Sequence, residues 1–459
     1  MSKLEKDIRK AADNIFEGAK WGLITGLILG LFAAMMLFCS CEAGKSDFVR
    51  VVDGKFVSEG HPSHFLGTNF WYGPILASEG QGGDRERLSR ELDLLKENGM
   101  INLRVLVGAD GPDGDLYRIC PTLQKAPGVY NDTIFRGLDY FMAELAKRDM
   151  KAVLYINNSW EWSGGYGMYL EWAGEGKALL PLEAGYREYC EEMSKFVMSD
   201  KAKQLYFDHV KHVVSRVNTV TGKPYKEDPA IFSWQIGNEP RCFSKDPEVQ
   251  AKFAEWMCAS AALIKSIDPN HMVSSGSEGY NGCEQNYDLF EKIHSCPDID
   301  YMNIHIWPYN WGWVRQHNLE SDIQVAMDYT DEYIEEHLEY AAKYNKPLVL
   351  EEFGYPRDGV QYAKSSPVTA RDKYYAHVLQ HIVKSAKEGG LLAGINFWAW
   401  GGLASQSETN LYWRPGDDYC GDPAQEPQGL YSVYASDEST VNIIRDAAEQ
   451  TAAALSVQR

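Results

Sequence analysis

Short apolar runs alternate with longer amphipathic stretches along most of this chain. The runs are rich in Val, Ile, Leu and aromatic residues, which is typical of buried parallel strands, and the stretches between them carry apolar residues at helical spacing. The predicted strands are residues 65–70, 101–107, 150–156, 231–236, 272–275, 301–306, 348–350 and 393–398. The predicted helices are residues 85–98, 132–148, a long stretch that ends near 217, 247–267, a short segment near 286–294, 322–344, 368–387 and 440–455.

This alternation predicts an α/β protein, and its eight strand–helix units predict a (β/α)8 TIM barrel. Before the first unit, residues 48–57 alternate in polarity around Asp53-Gly54. That pattern predicts a small N-terminal β-hairpin, which would close the bottom of the barrel. Because the sequence contains no obvious linker, residues 45–459 are expected to form one domain.

Residues 1–44 differ from the rest of the chain, because residues 21–41 carry no charge and follow a charged segment. One interpretation is a signal peptide of the lipoprotein type, cleaved before Cys41, although Phe38 stands where such sites usually have Leu. The other is an uncleaved membrane anchor, since about 20 apolar residues cross ~30 Å of hydrocarbon. Both place the domain outside the cytoplasm, either membrane-anchored or secreted.

Two of the apolar runs end in carboxylates. Strand 231–236 leads into Gly237, Asn238 and Glu239, and strand 348–350 leads into Glu351-Glu352. The carboxyl ends of barrel strands meet at one face, where active sites lie. Glu239 and Glu352 are therefore predicted to face each other across one pocket. Glu351 is expected to be secondary, because adjacent strand residues point to opposite faces.

Polar and aromatic residues at the other strand ends accompany these carboxylates. Taken alone, a strand Arg is usually a salt-bridge partner, and a lone His is more often a satisfied core residue. Their recurrence at corresponding strand ends favours a binding site instead. The candidate residues are Trp71, Arg104, Asn158, Trp160, Asn238, His305, Trp307 and Trp398.

Two facing carboxyl groups suit the cleavage of a glycosidic bond. One carboxylic acid protonates the leaving oxygen while one carboxylate attacks the anomeric carbon. A nearby Arg favours the ionised nucleophile, whereas burial and a negative partner keep the acid protonated. An amide beside the acid can bind the sugar 2-hydroxyl, and Trp rings can stack on the sugar.

At these residues the chain resembles glycoside hydrolase family 5. Trp234-Gln-Ile-Gly-Asn-Glu-Pro-Arg241 and Pro347-Leu-Val-Leu-Glu-Glu-Phe-Gly354 are similar to the acid/base and nucleophile strands of that family of retaining barrel enzymes. Gly67-Thr-Asn-Phe-Trp-Tyr72, Asn157-Asn-Ser-Trp160 and Phe397-Trp-Ala-Trp-Gly401 resemble its endo-β-1,4-mannanases. The resemblance implies endo-acting hydrolysis of mannan, galactomannan or glucomannan by a double displacement.

The resemblance also implies roles for individual residues. Glu239 would be the acid/base and Glu352 the nucleophile, with Arg104 orienting the nucleophile. Asn238 would hold the sugar 2-hydroxyl, and Trp398 would form the floor of the −1 subsite, where the reacting sugar binds. His305 would lie among the residues directly around the reacting groups. One position departs from the family pattern, because His305-Ile-Trp307-Pro308 replaces the usual His-x-Tyr-Pro. The indole of Trp307 or the hydroxyl of Tyr309 would have to replace that tyrosine as a hydrogen-bond donor to the nucleophile.

Composition narrows the range of partners. A formal net charge of −20 argues against nucleic acid and favours a neutral polymer such as β-mannan. The nine Cys have no metal-ligand spacing, so neither a metal nor an organic cofactor is expected. Cys283 and Cys296 could pair in an oxidising compartment, or all of these thiols could stay free. The protein is expected to be a monomer.

Two alternatives within the enzyme class stay open, namely an exo-β-mannosidase and a β-1,4-glucanase. Exo action would require loops that block one end of the cleft, and the stretches 164–186 and 405–426 are long enough to do so. A more remote alternative is a surface glycan-binding protein without catalysis. A missing glutamate would favour that alternative, but both Glu239 and Glu352 are present.

Overall fold

The computed structural model describes residue 3 and residues 48–114, 117–315 and 317–458. Eight parallel strands form one sheet, in which the first strand pairs with both the second and the eighth. This architecture confirms the predicted (β/α)8 barrel. From first to eighth, the barrel strands are Phe65–Asn69, Met100–Leu106, Lys151–Tyr155, Ile231–Gln235, Met272–Ser274, Met302–Ile306, Leu348–Phe353 and Leu392–Phe397.

The ring of strands closes differently between the fifth and sixth strands. Within the described residues, regular pairing there is reduced to a single β-bridge between Ser274 and Tyr301. A side chain of the sixth strand supplements the bridge, because Oδ1 of Asn303 accepts hydrogen bonds from Gly276 N over 2.9 Å and from Ser275 Oγ over 3.0 Å. Side-chain hydrogen bonds thus replace part of the backbone ladder at this point.

Each barrel strand is followed by a helix on the outside. In strand order these helices are Arg85–Glu97, Asp132–Ala146, Asp200–Val214, Pro247–Ile267, Tyr287–His294, Ile323–Tyr344, Thr369–Glu388 and Glu438–Gln458. Shorter helical segments are Gly73–Leu76, Glu161–Ser163, Gly165–Ala173, Pro181–Ala184, Tyr186–Met193, Phe196–Met198, Tyr225–Glu227 and Asp358–Val360. Two small ribbons pair Gln124–Ala126 with Val129–Tyr130 and Trp400–Gly402 with Val433–Tyr434.

The long helical stretch predicted before the fourth strand is divided into several helices. Gly174 ends the helix Gly165–Ala173 in a left-handed conformation with φ 71°, a conformation that is readily available only to glycine. Pro181 then begins the next short helix, as expected for a residue that lacks a backbone N–H. These two residues interrupt a pattern that apolar spacing alone makes look continuous.

The predicted N-terminal hairpin lies under the barrel. Its strands Arg50–Val52 and Lys55–Ser58 pair antiparallel, and a third strand, His61–Pro62, continues the sheet. Phe56 is fully buried, with ring centroids 5.1 Å from Phe232 and 5.2 Å from Tyr301. Both partners lie at the amino ends of barrel strands, so the hairpin closes the bottom of the barrel.

The predicted signal or anchor run, residues 21–41, lies outside the described residues. Among the residues that the structure describes, none of the helices combines the length and the apolar character that a bilayer span requires. A disulfide joins Cys258 to Cys296, whereas Cys283 is a buried free thiol. Cys296 therefore does pair, but its partner comes from the helix Pro247–Ile267 rather than from the loop that holds Cys283.

Candidate active site

A cavity of about 320 Å³ opens at the carboxyl ends of the barrel strands. Ten residues were predicted from the sequence to form the site, and they divide into two groups. Those that line the cavity are Trp160, Asn238, Glu239, Trp307, Glu352 and Trp398. Those that are buried and lie outside its lining are Trp71, Arg104, Asn158 and His305.

The backbone of Glu239 has an unusual conformation, and hydrogen bonds from neighbouring loops stabilise it. Its φ is 47°, in the left-handed region that residues other than glycine seldom adopt. The N–H of Glu239 donates to Gly276 O over 3.0 Å, and its carbonyl accepts a 2.5 Å hydrogen bond from Ser159 Oγ. The loops after the third and fifth strands thus hold the backbone of Glu239 in place, which is how costly backbone conformations persist at functional sites.

The side chains that contact the Glu239 carboxyl within hydrogen-bond distance are neutral. Oε2 accepts from the indole N–H of Trp160 over 2.6 Å. Oε1 lies 2.9 Å from Nδ1 of His305 and accepts from the indole N–H of Trp307 over 3.3 Å. Burial holds the pKa of His305 well below its usual value, so this imidazole is neutral.

Glu352, at the end of the seventh strand, is bound by a charged group instead. Its Oε1 accepts a short hydrogen bond from Nη1 of Arg104. The wholly buried guanidinium also donates to Asn69 Oδ1 over 3.0 Å, to Asn238 Oδ1 over 2.8 Å and to Gln235 Oε1 over 2.8 Å. Because four of its five N–H donors make these hydrogen bonds, Arg104 has little freedom to move away from Glu352.

The two carboxyl groups are close enough for a direct attack on a bound sugar. A carboxylate oxygen of Glu239, one of Glu352 and a ring nitrogen of His305 all lie within 4.8 Å of one another. Retaining glycosidases separate their carboxyls by about 5–5.5 Å, whereas inverting enzymes need about 6.5–9.5 Å to admit a water molecule. The arrangement therefore fits a retaining mechanism.

The surroundings of Glu239 and Glu352 determine which of these two carboxyl groups carries a proton. Burial raises the pKa of Glu239. Burial also raises the pKa of Glu352, the charge of Glu239 adds to this, and Arg104 opposes it. Two carboxylates this close cannot both ionise cheaply. Among the described hydrogen bonds, a charged donor reaches Glu352 and neutral donors reach Glu239, so the negative charge belongs on Glu352 and the proton on Glu239.

Known proteins that are similar to this chain are enzymes of the kind that the site geometry indicates. The family model described as glycoside hydrolase family 5, β-mannosidase-like, matches residues 46–455. The chain belongs to glycoside hydrolase family 5. The resemblance inferred from the strand-end motifs is thereby confirmed, and the protein is a glycoside hydrolase.

Solved and curated relatives cover most of the chain. A solved family 5 mannosidase from Rhizomucor miehei is 34% identical, with a TM-score of 0.82, and the alignment covers 90% of this chain and 100% of that one. A putative mannan endo-1,4-β-mannosidase 9 of Oryza sativa subsp. japonica is 32% identical over 84% of this chain and 90% of its own length. Mannan endo-1,4-β-mannosidase 7 of Arabidopsis thaliana is 31% identical over 81% of this chain and 83% of its own length.

In this family 5 enzyme, Trp307 does not take the position that the sequence departure suggested. Its indole N–H donates to Glu239, not to the nucleophile candidate Glu352. Within the described residues, the polar neighbours of Glu352 are Arg104 and His305, whose Nδ1 lies 3.4 Å from Oε2. The contact expected of the missing tyrosine is therefore made by neither Trp307 nor Tyr309 in the described structure.

Glu351 points away from the cavity, as strand alternation predicts. It is fully buried, and its Oε2 accepts a 2.6 Å hydrogen bond from Nε2 of Gln235 and lies 3.6 Å from Nε of Arg104. Gln235 thus connects Glu351 to the guanidinium that binds Glu352. Burial raises the pKa of Glu351 to about 7.

Trp71, Asn158 and Trp398, which were also predicted as site residues, differ in their position relative to the cavity. The indole of Trp71 donates to Gly421 O over 2.8 Å and contacts the edge of Trp162, so Trp71 lies behind the cavity wall. Asn158 accepts at Oδ1 from Nδ2 of Asn238 over 3.3 Å and orients that amide. Trp398 lines the cavity directly.

Sequence reasoning missed several residues of the cavity. Glu278 and the partly buried Arg241 form an ion pair, with 2.6 Å between Nη2 and Oε1. Arg241 is the last residue of the sequence motif that contains Glu239, so the sequence could have indicated Arg241 as a site residue. Glu278 follows the fifth strand only after a turn at Gly276, and apolar periodicity does not indicate it. The other lining residues that were missed are Glu161, Trp162, Tyr186, Asn310, Pro423, Gln425 and Glu426.

The carboxyl pair and His305 also offer atoms of the kind that metals bind. A cation there would lie beside the guanidinium of Arg104 and would compete for the oxygen of Glu352 that Arg104 binds. The donors fit a hydrogen-bonded acid pair better than a metal centre.

Proposed function

We propose that the protein hydrolyses β-1,4-mannosidic bonds inside mannan, galactomannan or glucomannan by a retaining double displacement. The observation that carries this proposal is the approach of Glu239 and Glu352 to within 4.8 Å in one cavity. The curated relatives are named mannan endo-1,4-β-mannosidases, which supports mannan as the substrate and internal cleavage. The match over residues 46–455 supports one catalytic domain over residues 45–459.

In the first step, the ionised Glu352 attacks the anomeric carbon of the sugar next to the scissile bond. Glu239 gives its proton to the leaving oxygen, so the glycosidic bond breaks and the sugar becomes esterified to Glu352. Contact with Arg104 stabilises the negative charge on Glu352, and burial keeps the proton on Glu239.

In the second step, Glu239 acts as a base. It takes a proton from water, the resulting hydroxide attacks the same carbon, and Glu352 leaves as a carboxylate. Two attacks from opposite faces restore the original configuration. The neutral His305 contacts both carboxyl groups and would keep them in position through both steps.

Binding of the sugar would involve the amide and the aromatic residues of the cavity. Asn238, positioned by Arg104 and Asn158, would hold the 2-hydroxyl, whose hydrogen bond strengthens in the transition state. Trp398 would carry the reacting sugar, while Trp160 and Trp307 hold Glu239 from two sides.

A second candidate function is exo-β-mannosidase activity, and one specific observation favours it. The stretch 405–426, which is long enough to block the cleft, places Pro423, Gln425 and Glu426 in the cavity lining. Within the described residues, Oε1 of Gln425 and Oε2 of Glu426 are buried without a hydrogen-bond partner. Such groups could bind the hydroxyls at the end of a mannan chain instead of letting the chain pass.

A product profile separates these candidates. The enzyme is incubated with linear mannan, glucomannan and cellulose, and the viscosity and the product lengths are followed over time. Short manno-oligosaccharides with early loss of viscosity support internal cleavage, whereas release of mannose alone supports the exo candidate. A clear preference for cellulose would contradict the mannan proposal, and products of inverted anomeric configuration would contradict the double displacement. Glu352→Gln serves as the inactive control.

We also propose that the protein is a monomer tethered to a membrane outside the cytoplasm. The uncharged run at residues 21–41 supports the tether. Mass analysis of the mature N-terminus distinguishes a lipidated Cys41 from an uncleaved anchor. Recovery of the full-length chain in the soluble cytoplasmic fraction would contradict the proposed location, and a dimer in light scattering would contradict the monomer.

A further inference from the structure

A second group of metal-binding side chains lies outside the cavity, on two neighbouring helices. Asp331 belongs to helix Ile323–Tyr344, and His377 and His381 belong to helix Thr369–Glu388. One ligand atom from each of the three side chains lies within 4.8 Å of the other two. These helices precede and follow the seventh barrel strand, which carries Glu352.

The two histidines aim at the same point. Residues four apart lie on one face of a helix, and here Nε2 of His377 lies 2.6 Å and Nε2 of His381 lies 2.8 Å from Oδ1 of Asp331. The two rings do not stack, since their planes meet at 80°. Two imidazoles and a carboxylate therefore converge on one position between the helices.

This donor set selects among metal ions. Two imidazole nitrogens and one carboxylate oxygen suit divalent first-row transition metals, whereas Ca²⁺ and Mg²⁺ prefer oxygen ligands alone. In a tetrahedral zinc site the ligand atoms lie about 3.3 Å apart, so the side chains would have to open by roughly half an ångström. They remain 22–39% exposed, so an ion can enter from solvent and water can complete the coordination.

We propose that Asp331, His377 and His381 bind one Zn²⁺ or a chemically similar transition-metal ion. The bound ion links the helices on either side of the Glu352 strand. It stabilises the folded chain, because a ligand that binds only the folded state favours that state. This site is separate from the catalytic cavity and does not depend on the hydrolytic function proposed above.

The test uses the full chain, stripped with a chelator and then titrated with ZnCl2 in a calorimeter. The wild type should bind one ion at this site, and His377→Gln and His381→Gln should each weaken that binding at least about ten-fold, as the loss of a direct ligand requires. Gln keeps a polar side chain of similar size, so the helix should stay folded. Lys387→Gln, which changes an exposed residue on another side of the same helix, is the matched control and should bind zinc like the wild type.

Thermal unfolding supplies a second readout. Zinc should raise the Tm of the wild type and of the Lys387→Gln control, and it should raise the Tm of the two histidine variants much less. Equal zinc affinity in the wild type and both histidine variants would overturn the proposal, as would a wild type that binds no zinc even at millimolar concentration. Zinc that only inhibits hydrolysis, with unchanged affinity in the histidine variants, would place the ion at the catalytic cavity and would also overturn it.

Discussion

The indole N–H of Trp160 donates a 2.6 Å hydrogen bond to Oε2 of Glu239. Trp160 is itself fixed, because its backbone N–H donates to Asn158 Oδ1 over 3.1 Å and its ring stacks on Tyr189 with centroids 6.0 Å apart. A donor to a carboxylate stabilises the ionised form. The residue that follows the third strand therefore adjusts the acidity of a residue that follows the fourth.

Replacing Trp160 by Phe should shift the pH dependence of catalysis. Without the indole donor, the ionised form of Glu239 loses stabilisation and its pKa rises. A hydrogen bond to a charged group contributes about 1.5–3 kcal/mol, and 1.36 kcal/mol corresponds to one pKa unit. The alkaline limb of kcat/KM should therefore move up by about one to two pH units.

The matched control is Trp162→Phe, a neighbouring cavity residue without a described hydrogen bond to Glu239. Its alkaline limb should stay where the wild type has it, whatever happens to the absolute rate. If both variants shift equally, the hydrogen bond from Trp160 does not set the acidity of Glu239.

Glu239 and Glu352 should divide the reaction between them. Glu352→Ala should lose about four orders of magnitude or more on every substrate, because the nucleophile is needed in both steps. Glu239→Ala should lose about 10²–10⁴-fold on mannan but form the glycosyl-enzyme normally from an activated aryl β-mannoside, whose leaving group needs no proton. A burst of the aryl alcohol measures that step. Equal tolerance of the aryl substrate by both variants would contradict the assignment.

Glu351→Gln should keep measurable turnover, because Glu351 faces away from the cavity. Gln can still accept the hydrogen bond from Gln235 that Oε2 of Glu351 now accepts. The control is Glu352→Gln, which removes the nucleophile with the same change of atoms and should be inactive. Steady-state rates, with circular dichroism to check folding, compare the two. A folded but inactive Glu351→Gln beside an active Glu352→Gln would reverse the two roles.

The same carboxyl should make stability depend on pH. Burial raises the pKa of Glu351 from 4.5 to about 7, so the folded chain keeps a proton that the unfolded chain releases. Its contribution to stability is complete below pH 4.5 and is lost as the pH rises to about 7. Glu351→Gln lacks this titration, and its free energy of unfolding should fall less over that window, by about 3 kcal/mol.

Urea unfolding at several pH values measures this difference. The control is Glu388→Gln, an exposed carboxyl at the end of a helix, which should follow the wild-type pH dependence. Identical pH dependence of Glu351→Gln and the wild type would show that Glu351 titrates alike in the folded and unfolded chains.

Phe56→Ala should destabilise the whole barrel. The ring is fully buried among Phe65, Phe232 and Tyr301, and truncation of such a ring costs about 3–5 kcal/mol. Val52→Ala, in the same hairpin but 48% exposed, should cost much less. Urea unfolding measures both variants. Similar losses in the two would mean that the hairpin does not anchor the bottom of the barrel.

The sequence was sufficient for the strands and for the two glutamates, because an apolar run that ends in a carboxylate is a local signal. It was insufficient where the fold decides the contacts. Cys296 pairs with Cys258 because a helix brings that residue to it, and spacing along the chain favoured Cys283. The sequence predicted that Trp307 could donate a hydrogen bond to the nucleophile candidate Glu352, but its indole N–H donates to Glu239 instead.

The incomplete pairing between the fifth and sixth strands has a dynamic consequence. The amide of Gly276 is protected from solvent by the side chain of Asn303 rather than by a strand partner, so rotation of one side chain exposes it to hydrogen exchange. The carbonyl of the same glycine holds the backbone of Glu239. Local breathing of the barrel at this seam therefore acts on the backbone of Glu239 directly, whereas the strand of Glu352 pairs with both of its neighbours.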